Sequence, residues 1–248
     1  MTLGSTSVIA GIGIDKHYGA FQVLHGVDFS AKKGEAVGIV GPNGAGKTTL
    51  FGVLAGSTAP SAGVITYQDT DITATSAAQR CHAGIARTHQ VPRPFLGMTV
   101  FENLLTAATN GAGLTGYEAE AFAVRALIQT GMSPLANRPA AALGLLDRKR
   151  LELARALATA PKVLLLDEIG GGLTEGELHQ LVTLISQLKD DGLTIVWIEH
   201  ILHALLKVID RLVCMSEGRV IAQGHPKDVM SDDEVMKAYL GSELEVAL

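Results

Sequence analysis

Gly41-Pro42-Asn43-Gly44-Ala45-Gly46-Lys47-Thr48 decides how the rest of this chain reads. It fits G-x-x-x-x-G-K-[ST] at every defined position. Glycines let the backbone curl until successive N–H groups point at phosphate oxygens. Lys47 can then reach the outer phosphates, and Thr48 can offer its hydroxyl to Mg²⁺. The pattern needs a strand before it and a helix after it. Both are legible: Glu35 to Val40 is a short apolar run, and Thr48 to Ala55 reads as a helix whose positive end faces the same anion. Asn43, Gly44, Ala45, Gly46, Lys47, Thr48 and Thr49 form the expected nucleotide-binding stretch.

A second element lies downstream. Val163-Leu164-Leu165-Leu166-Asp167-Glu168 reads as a buried strand ending in two acids. In open α/β sheets ligands bind beyond the carboxyl ends of the strands. Asp167 is placed there to hold Mg²⁺, and Glu168 to polarise the water that attacks a γ-phosphate.

Between and around these motifs the chain alternates. Val8 to Ile14 and Phe21 to Phe29 read as strands joined by a turn near Tyr18-Gly19, and Gly63 to Tyr67 as another. From Pro92 to about Gly144 the chain becomes alanine-rich and helix-forming, punctuated by Gly111, Gly113, Gly116, Gly131 and Pro134. Beyond it, strand-like runs at Val163 to Leu166, Thr194 to Ile198, Arg211 to Met215 and Val220 to Ala222 alternate with helices, which predicts a parallel, doubly wound core.

Composition narrows the class. The 248 residues suffice for one large α/β domain, and 47% hydrophobic with 18% charged residues indicates a well-filled core. A net charge of -5 argues against a nucleic-acid partner, which calls for a basic face. Cys81 and Cys214 show no metal-ligand spacing and read as reduced, packing thiols. No apolar stretch reaches the roughly 18 residues of a membrane span. The first residues lack the basic-then-apolar pattern of a cleaved signal. A mean hydropathy of +0.28 hints at apolar surface covered by partners.

With both motifs placed, the chain resembles the ATP-binding subunits of ABC transporters along nearly its whole length. The resemblance implies an α/β fold: a RecA-like P-loop core with an N-terminal antiparallel β lobe and an inserted α-helical lobe. It implies one domain over 1–248, with 1–90 and 151–248 forming the core and β lobe and 91–150 the helical lobe. By resemblance Tyr18 stacks on adenine, and Gln90 in "ARTHQVPRPF" senses Mg²⁺ and couples to the membrane subunit. His200 in "TIVWIEH" contacts the γ-phosphate. The implied catalytic set is Glu168, His200 and Gln90; the implied Mg²⁺ set is Thr48, Gln90 and Asp167. Trp197 reads as core. Within the family, "GIARTHQ", "MTVFENLL", "RLELARALATAPKVLLLDE" and the ending "GRVIAQGHPKDVMSDDEVMKAYLG" resemble the group serving branched-chain amino acid and amide uptake. Lipopolysaccharide-export ATPases end similarly, and a soluble ABC-type ATPase or regulator is a further alternative. The main reading implies ATP and Mg²⁺ as cofactors, two integral-membrane permease subunits, a second ATPase subunit and, indirectly, a solute-binding protein. It implies a peripheral place on the cytoplasmic face of the inner membrane. A short permease helix would dock at the helical lobe, with Phe95 or Leu96 as its anchor; a core position for Phe95 is the other reading.

One segment departs from the family. Members dimerise head to tail, and each ATP is closed by the partner's signature, usually L-S-G-G-Q or L-x-Y-G-Q. Here Leu143 keeps the leucine, Gly144 replaces serine, Leu145 and Leu146 take the glycine positions, and Asp147 takes glutamine. Asp147 reads as a cap of the following helix, its charge offset by Arg148, Lys149 and Arg150. Three readings stand open: a relaxed half-site beside a partner of intact signature, a working variant, or a chain that no longer hydrolyses ATP. Ile169 replaces the usual proline, and Thr174 replaces a polar residue of the loop facing the partner. The tail from Ser242 to Leu248 lies beyond the family pattern.

Overall fold

The computed structural model describes residues 7–244. The start of the stretch read for a signal, and the tail from 245 onward, lie outside the described residues.

The chain opens with an antiparallel hairpin, β1 (Ser7–Tyr18) and β2 (Phe21–Lys32). Then β3 (Ala36–Val40) leads through the glycine-rich loop into α1 (Lys47–Ala55). Two more strands, β4 (Ala62–Tyr67) and the two-residue β5 (Thr70–Asp71), complete an antiparallel sheet in the order β2-β1-β4-β5. Next come α2 (Ala77–Ala83) and β6 (Ile85–Arg87). Three helices follow: α3 (Val100–Gly111), α4 (Gly116–Gln129) and α5 (Leu145–Ala158). They pack on one another. The remainder is β7 (Val163–Asp167), α6 (Glu175–Asp190), β8 (Thr194–Ile198), α7 (Leu202–Leu205), β9 (Arg211–Ser216), β10 (Arg219–Gly224), α8 (Pro226–Met230) and α9 (Asp233–Leu244).

The second sheet has the order β10-β9-β3-β8-β7-β6. Its central strands are buried on both faces, so their sequences read as continuous apolar runs. Successive side chains still go to opposite layers. Leu164 and Leu166 of β7, with Ile195 and Trp197 of β8, join the core shared with α3, α5 and α6. Val163 and Leu165, with Val196 and Ile198, join the core shared with α1 and the antiparallel sheet. Trp197 is therefore a core residue, as read from its place in the run.

Helix starts carry local signals. Ser76 with Gln79, Thr99 with Glu102 and Thr174 with Glu177 form capping boxes at α2, α3 and α6. Thr174, singled out as a departure in a partner-facing loop, thus has a structural task inside its own chain. Ile169 is likewise buried in the core. Arg80 is buried and donates to Val53 O at 2.6 Å and Leu54 O at 2.8 Å. It satisfies carbonyls at the end of α1 and locks α2 to it.

One expectation needs amendment. The last strands do not continue the parallel alternation: β9 and β10 are an antiparallel hairpin closed by Glu217 (φ +46) and Gly218 (φ +73). A two-residue link cannot make a parallel crossover, and two left-handed residues suit a tight hairpin turn. The helix α5 runs unbroken across residue 150. Among the described residues no helix is long and apolar enough to cross a membrane.

Candidate nucleotide site

The phosphate loop joins the end of β3 to α1. Gly46 caps α1 in the left-handed conformation (φ +91) and offers no side chain to the first-turn amides. A Cβ there would lie 2.8 Å from a methyl of Leu24, so this approach to β2 requires glycine. The open amides and the helix dipole suit an anion. Lys47 is buried, and its Nζ donates to Gly41 O at 2.7 Å and Pro42 O at 2.9 Å. Burial lowers its pKa below the ordinary lysine value, and Glu168 and Asp167 nearby oppose that shift. Asn43, Gly44 and Thr48 are exposed, Thr49 is half-buried and Ala45 is buried.

Asp167 ends β7 with its side chain 3% exposed. One oxygen, Oδ2, pairs with Arg87 at 2.7 Å; the other, Oδ1, is buried without a partner in the chain. The sequence reading missed Arg87, which lies 80 positions away on the three-residue strand β6. So short a strand gives almost no periodic signal.

Glu168 stands just beyond, held in the left-handed region at φ +46. Such a conformation in a non-glycine residue costs on the order of 1 kcal/mol and must be held by its surroundings. Gln90 Nε2 donates to Oε2 of Glu168. His200 Nε2 lies 2.7 Å from its Oε1. The three residues assigned as catalytic from the sequence therefore meet on one carboxylate, although they are spread from 90 to 200 along the chain.

Buried charges hold this cluster, and the sequence reading did not find them. Glu152 of α5 accepts from the His89 ring and amide at 2.8 and 3.2 Å, from the Arg93 amide at 3.3 Å and from Arg155 at 3.2 Å. Burial alone would raise its pKa, but the His89 and Arg155 contacts outweigh it and hold the carboxyl below its ordinary value. Glu152 thus pins the segment that carries Gln90. From the other side Lys149, also buried, sits 3.4 Å from Gln90 O and 3.4 Å from Glu168 O. An acid and a base on the buried face of α5 were the available signal.

Tyr18 lies at the turn end of the β1–β2 hairpin, 53% exposed, with Lys16 Nζ 4.8 Å from its ring centroid. The ammonium is attracted to the face of the ring. At the start of α5, Leu143 is buried, Gly144 and Leu145 are exposed, and Leu146 and Asp147 are half-buried. Among the described residues no hydrogen bond joins 143–147 to the phosphate loop at 41–49. The expected Asp147 cap is corrected: Gly144 is the N-cap and Asp147 lies in the first turn, its Oδ1 3.8 Å from Arg150. Nor does Lys149 offset that charge, because it faces inward.

A groove of about 520 Å³ opens between α2, α3 and α5, lined by Cys81, Phe95, Thr106, Asn110 and Arg155 among others. Phe95 is 46% exposed beneath the Arg155 guanidinium, 5.0 Å from its centroid. Its backbone is clamped on both sides by buried Asn103, at 2.8 Å to the amide and 3.1 Å to the carbonyl. Leu96 beside it is 54% exposed. Phe95 is not a core residue of the helical segment.

Known proteins resemble this chain over most of its length. Residues 24–170 match the family described as ABC transporter, and residues 219–245 match branched-chain amino acid ATP-binding cassette transporter. A probable branched-chain amino acid transport ATP-binding protein LivG of Methanocaldococcus jannaschii is 35% identical, across 92% of this chain and 95% of its own. The high-affinity branched-chain amino acid transport ATP-binding protein BraF of Pseudomonas aeruginosa is 34% identical, across 92% and 96%. A lipopolysaccharide export system ATP-binding protein LptB of Haemophilus influenzae is 31% identical, across 97% and 100%. Among solved structures, a nucleotide-free ATP-binding cassette from an ABC transporter superposes with a TM-score of 0.85 at 34% identity, covering 94% of this chain and 98% of that one. An ADP-bound cassette of an ABC transporter gives a TM-score of 0.85 at 34% identity, over 95% and 99%.

Proposed function

The chain belongs to the ABC transporter ATP-binding family, and we propose that its ATP hydrolysis drives import of a small polar solute, a branched-chain amino acid or amide. It is the ATP-hydrolysing subunit of a transporter. The observation that carries the catalytic reading is the meeting of Gln90 and His200 on the Glu168 carboxylate. The branched-chain match over residues 219–245 favours import over lipid export.

In the proposed cycle, the α1 amides and Lys47 hold the phosphates while Tyr18 supports the adenine. The Glu168 carboxylate accepts a proton from the water attacking the γ-phosphate. His200, bridged to Glu168, meets the developing phosphate charge. The unpartnered Asp167 Oδ1 and the exposed Thr48 suit a hard cation, with Gln90 as third ligand. Mg²⁺ bound there would neutralise phosphate charge. Residues 91–150 would form the lobe that meets the membrane partner. The assembly would hold two permease subunits, a second ATPase subunit and, indirectly, a solute-binding protein, at the cytoplasmic face of the inner membrane.

The groove under Phe95 is where a short permease helix would seat. Its aromatic anchor suits an interface core, which is poor in charge. The test is ATP-driven uptake by proteoliposomes holding this chain with its membrane subunits. Phe95→Asp is expected to reduce uptake about tenfold or more while the free chain stays folded, because a loss of about 2 kcal/mol at one central anchor exceeds tenfold in affinity. A mutant complex that copurifies and transports at the parental rate removes this groove from consideration.

The signature departure gives a second test. Gly144 already has an N-cap conformation (φ -69, ψ 176), and a Cβ added there meets nothing within 4 Å. Gly144→Ser is therefore expected to fold normally, with a gain of at most a few tenths of a kcal/mol from capping. If the segment is a relaxed half-site, the new hydroxyl raises turnover roughly tenfold, recovering part of what one transition-state donor contributes. An unchanged, measurable rate means that Gly144 belongs to a working variant, and no hydrolysis in either chain means that the segment no longer supports it.

A further inference from the structure

We propose that Glu199 is a positioning residue for hydrolysis: its buried carboxylate, taking the Gly170 and His200 amides, sets Glu168 and the His200 ring against each other. This rests on the reading that Glu168 and His200 act together in ATP hydrolysis.

Register is the starting point. The β7–β8 ladder ends at the pair Asp167↔Ile198, with one last bond from the Glu168 amide to Ile198 O at 2.9 Å. Beyond it the two exit loops have no further ladder to align them, yet Glu168 and His200 must meet side by side. The Glu199 side chain takes over as the cross-strand tie. Its Oε2 accepts the Gly170 N–H at 2.9 Å, and its Oε1 accepts the His200 N–H at 3.0 Å. Glu199 is 2% exposed, so both bonds are shielded from competing water.

Gly170 shows how closely the tie is drawn. A Cβ on Gly170 would sit 2.8 Å from Oε2 of Glu199 and 3.0 Å from Leu178 Cδ1. Gly170 lies two residues past Glu168, whose left-handed backbone is thereby held from both sides: by Ile198 O before it and by Glu199 after it. Without the tie, Glu168 can relax toward ordinary backbone geometry and carry its carboxylate away from Gln90 and His200. Lys149 supplies the balancing charge. Burial lowers its pKa, and Glu199, more than Glu168, opposes that shift. Lys149 itself sits 3.4 Å from the Gln90 and Glu168 carbonyls.

The test uses the full-length chain with ATP and Mg²⁺. Glu199→Gln keeps the shape but turns one acceptor into a donor facing an N–H. The expected result is a kcat lower by about 10- to 100-fold, the scale of a catalytic group displaced by about 1 Å. KM for ATP stays within about threefold, because the phosphate loop is untouched. Glu199→Asp, which keeps the charge, should recover part of the rate. In a His200→Ala background Glu199→Gln should cost less than it does alone, since part of its effect passes through that histidine. Gly170→Ala, which pushes the carboxylate from the other side, should reproduce the loss in kcat with KM retained. It also serves if Glu199→Gln does not fold. A kcat per folded molecule within twofold of the parent, or a full multiplicative loss in the His200→Ala background, overturns the proposal. A parent chain without any hydrolysis overturns the catalytic reading beneath it, and the two failures are told apart by that control.

Discussion

Glu168→Gln should bind ATP as the parent does and hydrolyse it at least about 10²-fold more slowly, the lower end of what a positioned general base contributes. The glutamine keeps the volume and the left-handed backbone but cannot take a proton from water. It also sets an amide against Gln90 and His200, which both meet the carboxylate. Asp167, whose carboxylate faces Arg87 and the expected Mg²⁺ position, is untouched, so nucleotide affinity should hold. The measurement is single-turnover hydrolysis beside equilibrium ATP binding. A rate within about threefold of the parent would reject Glu168 as the base, since that difference is well under 1 kcal/mol in barrier.

Lys47→Ala should fail earlier, at binding. Its ammonium is the one cation of the loop pattern aimed at the outer phosphates, and a charge-assisted contact to phosphate is worth about 1.5–3 kcal/mol. A second effect is structural: Gly41 O and Pro42 O lose their shared donor in a buried place. Together these predict a fall in ATP affinity of about 10²-fold, read by titration calorimetry; unchanged affinity contradicts the phosphate-loop assignment. A pH titration supplies an internal check. Burial lowers the Lys47 pKa in the free chain, whereas phosphates raise it in the complex. The complex therefore holds its proton to higher pH, and affinity declines as pH rises through the free-chain value, starting below the ordinary lysine range. Lys47→Ala should flatten that decline.

Much of this protein was readable before any coordinates. The phosphate loop, the β7 run ending in Asp167-Glu168, and β8 are local patterns. Their signals lie in adjacent residues: glycine's freedom at 41–46, and apolar runs of strand length. Tyr18, Gln90 and His200 were legible only by resemblance, because a single aromatic, amide or imidazole has no periodicity. The fold then placed Gln90 and His200 on one carboxylate.

Tertiary structure decided the rest. Arg87 with Asp167, His89 with Glu152, and Gly170 with Glu199 pair residues 80, 63 and 29 positions apart. No local pattern encodes such pairs; they arise where strand ends and one helix face converge. The same holds for Asp147, whose acidic character suggested a cap until the backbone placed Gly144 at that position. Thr174, read from its place in a partner-facing loop, also caps α6 in its own chain, and Ile169 fills the core. Adjacent residues determine strands, turns and phosphate loops, because those depend on backbone freedom and side-chain period. Which buried charge faces which amide depends on the register of distant strands, and only the packed chain sets that register.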